Sequence, residues 1–68
     1  MARMDDEIYH AVNRGDLAEL REWRPHVLAD MQERTVEIEN GVDVESNRSM
    51  LEELADMLQA IDGALASR

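Results

Sequence analysis

Four branched apolar residues recur at intervals of seven in the last third of the chain: Val44, Leu51, Leu58 and Leu65. Leu54 and Ile61 occupy the complementary positions, and Asn47 extends their row toward the N-terminus. This is an a/d heptad pattern held over three heptads, which only a helix can keep on one face. It predicts a helix over about 44–66, roughly 34 Å long at 1.5 Å per residue. Asp43, Ser46 and Ser49 are all candidates for its cap. A third apolar row, Met50, Met57 and Ala64, lies beside the seam, while Glu52, Glu53, Asp56, Gln59 and Asp62 make up the polar side. Three adjacent apolar rows are more than one neighbouring helix covers. Either another element of the chain covers the surplus, or a second copy or a target does. Methionine adapts to varied contacts, which favours an interface.

The preceding segments are helical too. Asp5, Asp6 and Glu7 put acid where a helix begins, Ile8, Ala11 and Val12 share a face, and Gly15 supplies a stop, giving a helix near 5–14. Asp16-Leu17-Ala18-Glu19 has the form of a capping box. From there Leu20, Trp23, Val27, Met31 and Ile38 keep helical phase to about residue 39. Pro25 interrupts this phase at a cost of about 3 kcal/mol inside a helix. Two readings survive, a kinked or locally broken rod over 17–39 or a short helix ending near Trp23 with a new one at Pro25, and the continuous apolar phase favours the first. Asn40-Gly41 then reads as a helix–helix turn, because both flanks have period 3.6 and not 2. The expected fold is all-α: an antiparallel hairpin of two long helices with a short N-terminal helix against one end, a small three-helix unit in a single domain.

Composition narrows the function. The 68 residues carry a net charge of −9, with every third of the chain acidic, so phosphate backbones and anionic lipid are repelled and direct nucleic-acid or membrane binding is not expected. There is no cysteine, which removes disulfides and thiolate metal sites. A chain this short buries only about 60 % of its unfolded surface, so a partner chain is an expected source of extra stability. The N-terminus has no apolar signal-type stretch and no run reaches membrane length, so a cytoplasmic protein is expected. His10 lies four residues from Asp6, and His26 four from both Glu22 and Asp30, but in so acidic a chain such pairs arise by chance. No phosphate loop, nucleophile elbow or triad pattern is present, so neither an enzyme nor a cofactor is expected.

Residues 8–23, from Ile8 through Ala11, Gly15-Asp16 and Leu20 to Trp23, resemble the helix–turn–helix opening of an ankyrin repeat. The likeness covers one unit without a successor, and a solenoid needs about three, so it implies a local helix–Gly–Asp–helix device. The whole pattern is similar in style to small helical-hairpin chaperones of bacterial secretion systems and to small acidic phage proteins that disable host proteins. The surplus apolar stripe, the marginal stability of a lone chain and the lack of a chemical site lead to the same expectation: a protein that binds, and so regulates, inhibits or chaperones, another protein, as a homodimer. The expected contact residues are Tyr9, Trp23, Arg24, Met31, Met50, Leu51, Leu54, Met57, Leu58, Ile61 and Leu65. The alternative is an acidic nucleic-acid mimic that blocks a nucleic-acid-binding protein through Glu33, Glu37, Glu52, Glu53, Asp56 and Asp62.

Overall fold

The computed structural model describes residues 4–67 as three helices: α1 (Met4–Arg14), α2 (Leu17–Glu39) and α3 (Val44–Ala66). No strand occurs among the described residues. The chain is all-α, a three-helix unit as its periodicity predicts. α2 and α3 form the hairpin, and α1 packs on both.

Each joint is built by a glycine that takes a backbone conformation other residues resist. At the end of α1, Gly15 has φ +70°, its N–H donates to the Val12 carbonyl, and the Asp16 N–H donates to Ala11. At the end of α2, Gly41 has φ +74°, its N–H donates to Ile38, and the Val42 N–H donates to Glu37. Both are Schellman stops that satisfy the last carbonyls of their helices. Asp16 then caps α2 by accepting from the Glu19 N–H at 3.2 Å. The capping box is only half made, because the Glu19 carboxylate turns to Arg14 at 2.9 Å. Of the candidate caps for α3, the helix uses Asp43, left-handed at φ 40°, whose carbonyl accepts from the Asn47 N–H.

α2 runs through Pro25 as one helix, which overturns the reading of two separate helices. Pro25 lies on the exposed side of α2. The Arg21 carbonyl that loses its N–H partner is therefore close to water, and the apolar positions on either side, Leu20 and Val27, are both wholly buried.

The core lies where the three helices meet: Ile8 and Ala11 from α1, Leu20 and Val27 from α2, and Leu54, Met57 and Ile61 from α3. α1 has 11 residues against 23 in each partner, so it covers one side of the hairpin over only part of its length. Nearer the turn the α2–α3 seam becomes polar. Asn47 is 2 % exposed, donates from Nδ2 to the Val42 carbonyl at 2.8 Å, and accepts from Arg34 Nη1 at 3.1 Å. Three carboxylates surround the same guanidinium: Asp30 at 3.6 Å, Glu33 at 3.5 Å and Glu37 at 3.6 Å. Arg34 Nε is buried without a hydrogen bond, and the Asp30 carboxylate balances its charge from just beyond hydrogen-bond length.

Candidate interaction surfaces

The expected contact residues divide into three groups. Leu54, Met57 and Ile61 are at most 5 % exposed and belong to the core; Leu54 and Met57 still reach the floor of a surface groove, whereas Ile61 lies wholly inside. The reason is α1, whose first turns lie beside Met57 and Glu53; of the Met50–Met57–Ala64 row Met57 is buried, Ala64 partly buried and Met50 still 39 % exposed. The surplus on that side is thus answered within the chain at Met57 and left open at Met50.

The second group lies around the tip of α1. A shallow groove of about 170 Å³ is lined by Met4 and Asp5 of α1, Asp30 of α2, and Met50, Glu53, Leu54 and Met57 of α3. It continues past Tyr9 and Asp56. Met50 and Tyr9 remain about two-fifths exposed at its edge, while Leu54 and Met57 form its floor. Trp23 borders a second depression on this side, with Met4, Glu19, Glu22 and His26. Its indole is half-buried against the core and meets the His26 ring edge-on, with centroids 6.0 Å apart. Trp23 therefore both fills the core and borders a surface.

The third group occupies the opposite side of the hairpin, away from α1. Here α2 presents the row Arg24, Leu28, Met31, Thr35, and α3 presents the row Leu51, Ala55, Leu58, Asp62. Both rows step by four, three and four residues, the spacing of a single helix face. Running antiparallel, they bring Arg24 to Asp62 at 2.7 Å, a fork with a second contact at 3.4 Å. Met31 and Leu58 are partly buried against the core, as is Leu65, while Leu51 is half-buried and Leu28 remains 39 % exposed. Leu28 is outside the expected set because it stands beside the apolar phase of α2, which runs through Leu20, Trp23, Val27, Met31 and Ile38. Its signal is the row it shares with Arg24 and Met31.

Arg24 is not a free cation at this surface. The hydrogen bond from Arg24 holds the Asp62 carboxylate below its ordinary 3.8, against the desolvation that opposes it, and the Arg24 charge acts in the same direction. Arg24 is in turn raised above its ordinary value, first by that hydrogen bond and then by the Asp62 charge. A carboxyl lowered by folding stabilises the fold above its ordinary value and loses that contribution as pH falls through the lowered one. The stability gap between the wild type and Asp62→Asn is therefore expected to stay level above pH 3.8 and to shrink below it, measured by urea unfolding across pH. Both side chains are about half-exposed, so the gap is small and salt weakens it.

One group of acids lies on the α1 side: Asp30, Glu33, Glu37, Glu53 and Asp56, with the acidic start of α1. Glu39, Glu52 and Asp62 lie elsewhere on the hairpin. Of the six acids that could imitate phosphates, Glu33 and Glu37 flank Arg34 and Asp62 is paired with Arg24. Among the described residues, no group of three or more His, Asp or Glu side chains is placed to hold a metal ion, and no helix is long and apolar enough to cross a membrane. No family model, curated protein or solved structure matches the chain.

Proposed function

We propose that this chain is a small non-enzymatic protein that binds another protein and thereby regulates, inhibits or chaperones it, using the groove at the tip of α1. The observation that supports this is the pairing of exposed Tyr9 and Met50 with a methionine–leucine floor and a rim of carboxylates. An aromatic edge and flexible thioethers suit apolar anchoring, and the acids select a partner with basic residues beside its anchor. Tyr9→Ala combined with Met50→Glu is expected to abolish capture of the partner from a host lysate while circular dichroism stays helical. If the double variant stays folded and still captures the same protein, this groove is not the contact.

The acidic-mimic reading keeps one supporting observation: Glu52, Glu53 and Asp56 are exposed and close together on α3. It predicts capture that fails in moderate salt and on neutralising those three residues. The apolar-anchored reading predicts capture that survives moderate salt.

A further inference from the structure

We infer that the uncovered α2–α3 face is the contact between two copies of this chain, which pair face to face as a four-helix bundle with the α1 helices outside.

Shape is the first argument. The molecule is a slab of 39 × 26 × 15 Å with a radius of gyration of 12.8 Å, against roughly 10.9 Å for a compact domain of this length. A hairpin of two helices has two broad sides, and α1 covers only one. On the other side Met31 and Leu58, packed against the core, are only partly buried, and Leu28 is 39 % exposed.

Charge identifies the occupant. Two copies of a chain with net charge −9 repel one another on average. On the α1 side Asp30, Glu33 and Glu37 share the single cation Arg34, and Asp5, Glu53 and Asp56 add further carboxylates around the groove, so a second copy there would set a net acidic surface against itself. On the bare side the two central rows contain one arginine and one aspartate, already bonded to each other at 2.7 Å. Arg21 and Arg48 flank those rows, opposed by Glu39 one turn beyond Thr35 and Glu52 one turn beyond Arg48, so positive and negative groups are about balanced here. This is the broad side on which two identical acidic chains can meet without repulsion. Self-pairing through one patch also closes under two-fold symmetry and leaves no open end.

Polar satisfaction and area agree. Thr35 donates its hydroxyl to the Met31 carbonyl of its own helix at 2.9 Å, so covering that hydroxyl orphans no donor, and the Arg24 donors not used by Asp62 remain for the partner copy. The two rows from Arg24 to Thr35 and from Leu51 to Asp62 run about 17 Å and offer roughly 340 Å² per copy, and pairing along the full length of both helices, about 34 Å, would bring this to about 700 Å², near the ~800 Å² per partner of a standard interface.

The test is sedimentation equilibrium of the full chain across concentration. Interfaces of this size hold at micromolar or tighter affinity, so by about 100 μM the wild type should weigh twice its 7.8 kDa. Leu58→Glu should halve that mass with helicity retained. Should Leu58→Glu unfold, Leu28→Arg, at a position already 39 % exposed, makes the same test without touching the core. The Tyr9→Ala, Met50→Glu variant should remain dimeric, which separates this inference from the proposed binding groove. A wild type that remains at 7.8 kDa at that concentration, or a folded Leu28→Arg variant that keeps the double mass, overturns it.

Discussion

Ile61→Ala is expected to remove about 3 kcal/mol of stability, enough to leave much of the chain unfolded at 37 °C. Ile61 is wholly buried in the cluster where α1, α2 and α3 meet. Removing its outer carbons forfeits their transfer energy and leaves a cavity, together typically 2–5 kcal/mol for an isoleucine. A 68-residue domain has a total of roughly 3–10 kcal/mol at the usual 0.05–0.15 kcal/mol per residue. The midpoint of thermal unfolding should fall by something on the order of 15 °C, since 1 kcal/mol moves it about 4–8 °C at this size. Val36→Ala is the control: Val36 is 48 % exposed and should change stability by no more than about 0.5 kcal/mol. Equal shifts for the two variants would mean that the core is not where the helices are placed.

Arg34→Ala should cost about 2–3 kcal/mol, although it deletes a charged residue on a helix flank. It leaves the Asn47 amide oxygen buried without a donor and sets Asp30, Glu33 and Glu37 against one another with no cation between them. Orphaning a buried polar atom costs about 1–3 kcal/mol, and like charges add to this. Replacing both seam residues at once, Arg34→Met with Asn47→Leu, should recover most of the loss, because a buried polar pair and an apolar pair of similar volume are often near-equal in stability. The polar pair would then serve to set register. A seam with leucine at every a/d position tolerates sliding, whereas Asn47 must meet Arg34 and the Val42 carbonyl together. Chemical denaturation of the three variants measures this. An Arg34→Ala variant as stable as the wild type would contradict it.

The three helices were legible because each carries its own local signal: the heptads from Val44 to Leu65, Asp16 as a cap, and glycine at both joints. The continuity of α2 was legible only as a preference. Pro25 breaks a hydrogen bond wherever it stands in a helix, and whether that matters depends on the exposure of the position, which is set by tertiary structure. The contact surface was harder to read for the same reason. Periodicity shows that α3 has three apolar rows, but it does not show on which side α1 docks. With α1 on the methionine side, Met57 and Leu54 become core, and the Leu51–Leu58 side remains open. The Arg34–Asn47 pair and the Arg24–Asp62 bridge join residues 13 and 38 positions apart. No spacing rule within a single helix links such distant residues.

α1 docked over the Met57 side of α3, leaving the far side of the hairpin bare, is the central claim, and methionine oxidation tests it most directly. Met50 and Met57 belong to the same row, two turns apart, yet Met50 is 39 % exposed and Met57 is 5 % exposed. Under dilute peroxide, read by peptide mass spectrometry, Met50 should convert to the sulfoxide many times faster than Met57, since access governs the rate. Comparable rates at the two positions in the folded protein would mean that α1 does not cover this side and that the whole stripe is open.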